Sequence, residues 1–166
     1  MNIDWSTTKA WGDGGYYGRL FLNVRGREPE GTIDPADREK VREELRTKLE
    51  AMEDPDGRPL GTRVIKPQDV YPEVRGLAPD LIVYFGDLEW RSVGTVNMEG
   101  GQVLTYENDT GPDGANHDKK GVFVLRGLET QPTGRAEGLN LVDVGPTLMK
   151  LYGVPEPEGV QGRSIL

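Results

Sequence analysis

Residues 81–85 read Leu81-Ile82-Val83-Tyr84-Phe85, an unbroken apolar and aromatic run closed by Pro79 on one side and Gly86 on the other. A strand with one wet face alternates apolar and polar side chains. A continuous run predicts a strand covered on both faces, as in a parallel or mixed sheet flanked by helices. Gly121-Val122-Phe123-Val124-Leu125 has the same character and predicts a second buried strand. Tyr16 to Val24, YYGRLFLNV, is rich in aromatic and β-branched residues and predicts a third.

Helical signals fall between these runs. Asp34 suits an N-cap, Pro35 suits the first helical position, and Asp37 complements the dipole of the first turn. Val41, Leu45, Leu49 and Met52 then recur at helical spacing, with Glu, Lys and Arg at most positions between, so an amphipathic helix should run to about Asp54-Pro55-Asp56-Gly57. A last helix is expected over Leu141 to Tyr152, with Pro146 near its start, Val144, Leu148 and Leu151 as its buried stripe, and Gly153 at the C′ position. Arg63 to Lys66, Val93 to Val96 and Gln102 to Thr105 are weaker strand candidates, and Asp69 to Gly76 reads as a turn or a single helical turn. Asn108 to Lys120 is a polar loop, and loops this long are often functional. Strands alternating with helices predict an α/β fold, a mixed sheet flanked by helices. There is no fixed-period repeat, and residues 1–166 read as a single domain with no internal boundary.

The chain has 166 residues, 35% hydrophobic and 29% charged, which suffices for one modest core. Its formal net charge is −8 and its basic residues are dispersed, which argues against nucleic acid as a partner. The same negative field repels anionic substrates, so phosphate chemistry here would need a bound cation. The absence of cysteine excludes disulfides, thiolate metal sites and a cysteine nucleophile. No apolar run reaches the ~18 residues of a membrane helix, and the first residues carry no leader signature, so the expected setting is the cytoplasm, off the membrane.

His117 is the only histidine, and it sits in the polar loop just before the run at Val122. Imidazole is a common metal ligand, and a ligand at the entrance to a rigid strand is well placed. The same residue also reads as an ordinary surface histidine. Asp109, Asp113 and Asp118 share its loop, but a calcium loop beginning at Asp109 would put Gly111 and Lys120 where oxygen ligands are needed. No G-x-S-x-G elbow and no phosphate-binding P-loop occur. Arg25 or Arg27, in the turn Arg25-Gly26-Arg27-Glu28-Pro29-Glu30-Gly31, could grip an oxyanion or could pair with Glu28 or Glu30. Trp5, Trp11 and Trp90 read as packing residues. No complete catalytic constellation emerges.

Asp4-Trp5-Ser6-Thr7-Thr8-Lys9-Ala10 with Leu22 to Gly31, then His117 with Gly121-Val122-Phe123-Val124, and then Leu141 to Leu148 with Leu151 to Pro155 and Gly162-Arg163 form three segments in order. Together they resemble the C-terminal part of the type I phosphodiesterase/nucleotide pyrophosphatase group of the alkaline phosphatase superfamily. The resemblance implies an alkaline phosphatase-like α/β fold of which this chain is the C-terminal portion. It implies two divalent metal ions, zinc foremost, and a Thr or Ser nucleophile acting on a phosphate-ester small molecule. His117 and Gly121 match the group's H-x-x-x-G pattern, which makes His117 a metal ligand. The nucleophile and the other ligands would come from an N-terminal catalytic portion, and the chain alone should be inactive. Asp118, Lys119 and Lys120 fill the pattern with unusual charge. A stand-alone non-catalytic binding or regulatory module, or part of a related phosphomutase or sulfatase, are the alternatives.

Overall fold

A computed structural model of the protein describes residues 3–93, 103–106, 115–126 and 134–166. The chain forms two compact units, Met1–Gly121 and Val122–Leu166.

The first unit is built on four strands, β1 (Ala10–Asp13), β2 (Gly18–Leu22), β3 (Arg63–Ile65) and β4 (Leu81–Tyr84), in the spatial order β1-β2-β4-β3. Every pairing is antiparallel, with Ala10 opposite Leu22, Leu20 opposite Leu81, and Val64 opposite Val83. The expected mixed sheet is therefore corrected to an antiparallel one. The crossover through helix α1 (Arg38–Glu50) does join two strands that run parallel, β2 and β3. But β4 inserts between them, antiparallel to both, and no parallel ladder forms.

The expectation that β4 is buried on both faces is corrected in the same way. Leu81 and Val83 are fully buried, whereas Ile82 and Tyr84 are only partly covered. Helix α1 covers the Leu81 and Val83 face alone. Its Val41 and Leu45 pack on Leu22, Val24 and Ile33, and its Leu45 and Leu49 on Val64, Leu81 and Val83. Asp34 caps the entry as its residue type predicts, accepting from the Ala36 N–H at 3.0 Å. Pro35–Asp37 is a 3-10 turn leading into α1. The four-residue helix α2 (Pro67–Val70) falls next to the turn expected from Asp69.

Two polar anchors lie among these apolar contacts. Asp80, wholly buried ahead of β4, accepts from the Leu22 N–H at 2.7 Å, from Arg27 at 2.7 and 3.0 Å and from Arg38 at 2.6 and 2.9 Å. The buried Asn23 amide donates to the carbonyls of Trp5 (3.0 Å), Thr8 (2.9 Å) and Glu30 (2.9 Å), pinning the N-terminal segment and the 25–31 turn to the end of β2.

In the second unit, a 3-10 turn at Leu141–Asp143 runs into helix α3 (Val144–Leu151), and Gly153 takes the left-handed conformation of a C′ residue (φ 64°). The expected Val144, Leu148 and Leu151 stripe is corrected, because Leu148 and Leu151 are exposed. The buried positions are Asp143, Pro146 and Thr147, and Asp143 and Thr147 meet the returning tail. Asp143 accepts from the N–H groups of Asn140 (2.8 Å) and Arg163 (2.9 Å), while Thr147 donates to the Asp143 carbonyl and accepts from the Ile165 N–H. Val122 to Leu125 is not a buried strand. Val122 is 95% and Val124 83% exposed, since an apolar run becomes a strand only where a neighbour completes its ladder. Residues 103–105 form no strand, Ser92 makes a single bridge to Gly15, and positions 94–96 and 102 lie outside the described residues.

Candidate functional site: the His117 loop

Three pieces of the first unit converge around His117: the turn between β1 and β2, the end of β4, and residues 116–119. The end of β4 turns sharply. Gly86, Asp87 and Leu88 all have positive φ (55°, 55° and 86°), and a Cβ on Gly86 would come within 2.7 Å of the Trp90 ring. Left-handed conformation is costly for Asp and more so for Leu, and it persists only where surrounding contacts impose it. Here the Asp87 carboxylate receives Lys119 and faces Arg63 at 3.6 Å, and the Asn116 amide donates to the Leu88 carbonyl at 2.5 Å. The hydrogen bond from the Lys119 ammonium holds the Asp87 carboxyl below the usual aspartate range, with Arg63 adding to the effect.

Between these anchors the His117 ring lies on Tyr16, with centroids 3.6 Å apart and planes inclined by 30°. Next to it, Tyr17 and Tyr84 are in contact at 5.8 Å, and the Lys119 ammonium stands 5.7 Å over the Tyr84 ring. Burial pushes the Tyr84 phenol up, so it stays neutral at ordinary pH. Ser92 closes the far side. Its hydroxyl donates to the Gly15 carbonyl at 3.1 Å and accepts from the Gly15 N–H at 3.0 Å.

A metal ion binds imidazole in the ring plane, and stacking covers the ring face instead. His117 is exposed and presents one nitrogen donor of the kind a zinc-type site uses. Among the described residues no group of three His, Asp or Glu side chains could hold a metal ion.

The other candidates have other roles or lie outside the described residues. Asp118 accepts from the Lys120 N–H at 2.7 Å, a turn within the loop, and Asp109 and Asp113 lie outside the described residues. Arg27 is taken up by Glu28 and Asp80, and Arg25 faces Asp34 at 3.7 Å, so both arginines of the turn serve ion pairs. Trp5 packs edge-on to Trp11, which stacks on Phe21, and Trp90 meets Tyr106. Tyr16, Tyr84 and Asp87 belong to no motif, and Lys119 stands out only as a charged filler of the His117–Gly121 pattern. The sole sequence hint is that Tyr16-Tyr17 and Gly86-Asp87 punctuate strand ends.

Comparison of the chain with protein-family models, with curated proteins and with solved structures returns no significant match.

Proposed function

We propose that this chain is the C-terminal portion of a metal-dependent phosphoester hydrolase of the phosphodiesterase/nucleotide pyrophosphatase type, with an alkaline phosphatase-like fold. The observation that carries the reading is His117, an exposed imidazole seated on Tyr16 in a loop anchored at both flanks. The H-x-x-x-G pattern of His117 and Gly121 and the order of the three resembling segments support it. So does the charge. At a net charge of −8, a phosphate ester approaches favourably only if cations stand at the site.

His117 would supply one nitrogen ligand, and further ligands with the nucleophile would come from an N-terminal catalytic portion. Two divalent ions, zinc foremost, would stabilise the attacking and leaving oxygens of the phosphate. The substrate is a small phosphate ester, with neither nucleic acid nor membrane as partner.

The test is to express this chain together with the coding region upstream of Met1 and to assay bis-p-nitrophenyl phosphate, p-nitrophenyl phosphate and p-nitrophenyl sulfate with added Zn²⁺. Diesterase activity lost by at least about 100-fold in His117→Ala is the expected result. Preferential sulfatase turnover would reassign the protein within the superfamily. An intact, folded protein inactive on all three esters and without bound metal would identify a non-catalytic module and overturn the proposal.

A further inference from the structure

The geometry points to Tyr16 and Asp87 as positioning residues for His117: Tyr16 fixes the plane of the imidazole, and Asp87, through Lys119, fixes the loop that carries it.

A loop histidine is a poor ligand unless its ring direction is set in advance, because ordering a free side chain costs affinity at every binding event. The loop around His117 is tied on both sides. On one side, Asn116 donates to the Leu88 carbonyl. On the other, Lys119 meets the Asp87 carboxylate. Both acceptors belong to the left-handed turn that ends β4, whose strands Leu81 and Val83 anchor in the core. The turn is therefore a rigid base, and its unusual φ angles aim Asp87 and the Leu88 carbonyl at one loop. Tyr16 completes the arrangement from a third direction. Its backbone neighbour Gly15 is fastened by Ser92, and its ring covers one face of the exposed His117.

The Asp87 and Lys119 side chains are 54% and 39% exposed, so the pair alone contributes little to stability. Its value lies in direction, which distinguishes a positioning pair from a structural one. The inference rests on the proposed ligand role only for what the ordered ring is used for.

Because His117 is the only histidine, its ring resonances are readable in the full chain without ambiguity. In the wild-type protein the His117 ring protons should lie upfield of the random-coil position, shifted by the Tyr16 ring current. Tyr16→Leu should return them to the random-coil position, and Tyr16→Phe should keep the shift. Asp87→Asn is the cleanest probe of the second anchor, since Asn tolerates positive φ and only the charge is removed. It should raise amide exchange across residues 116–120 by about three-fold and reduce the ring shift, with Lys119→Arg retaining both. A wild-type ring at the random-coil position, or a shift unmoved by both Tyr16→Leu and Asp87→Asn, overturns the inference. Failure of the hydrolase reading would show elsewhere, as an intact, folded protein inactive on all three esters and without bound metal.

Discussion

Asp80 carries the largest single-residue consequence in the molecule. Burial pushes its carboxyl up, but the hydrogen bonds from Arg27, the Leu22 N–H and Arg38 outweigh burial and hold it below the usual aspartate range. A depressed folded-state value means that the unfolded chain binds the proton more readily. Its stabilising contribution is therefore fully present above the unfolded value of about 4 and is lost as pH falls through the lower folded value. Asp80→Ala leaves the buried Leu22 N–H without its acceptor, while Arg27 and Arg38 still reach water. The expected cost is about 2–3 kcal/mol, less than for a fully buried pair, measurable by urea unfolding at pH 7. The difference between variant and wild type should shrink below about pH 4, where the carboxylate of the unfolded chain begins to protonate, and vanish below the lower folded value. A difference that grows on acidification would show that the carboxylate is not stabilised in the fold. The composition gives no hint of this role, because Asp80 looks like one more acid beside a proline until Arg27 and Arg38 are brought to it from 53 and 42 residues away.

Among the elements, α1 with the 3-10 turn before it is the most legible, because the Asp34 cap, Pro35 and the apolar spacing agree with one another, although the helix ends at Glu50, short of the expected Asp54, and leaves Met52 outside it. Leu45 touches both core clusters, whereas Lys48 on the same helix is exposed. Leu45→Ala is expected to cost about 2–3 kcal/mol, and Lys48→Ala less than about 0.5 kcal/mol. Equal urea midpoints for the two variants would refute the packing described for α1. Helix α3 was legible in position but not in its buried face. A period of 3.6 marks which side chains share a side, and here the side carrying Leu148 and Leu151 is exposed while Pro146 and Thr147 are buried, Thr147 against the tail. Val122 to Leu125 shows the same limit for strands, since apolar character cannot supply the neighbour that pairs with it.

Across the whole molecule the two units differ in how they are held. In Met1–Gly121 a helix closes over an antiparallel sheet, and Leu22, Leu81 and Val83 are essentially water-free. In Val122–Leu166 the described buried side chains are Asp143, Pro146 and Thr147, joined to the tail by hydrogen bonds to Arg163 and Ile165. Native-state hydrogen exchange should therefore protect Leu81 to Val83 most strongly and the amides of α3 more weakly. Gly162 has φ 87°, and an added Cβ would lie 2.4 Å from the Val142 carbonyl oxygen, so Gly162→Ala should release the Arg163 and Ile165 amides to fast exchange while leaving β4 protected. Loss of protection in β4 as well would mean that the units unfold together. The residues by themselves determined helices α1 and α3, the strand positions at 18–22, 63–65 and 81–84, and the single histidine, because caps, spacing and residue type act over a few neighbours. Only the tertiary structure decided that β4 runs antiparallel between β2 and β3, that Arg27 serves Asp80, and that Tyr16 and the Asp87 turn meet at His117. Those partners are distant in the chain, and contact between distant residues is a property of the packed sheet, to which no local pattern refers.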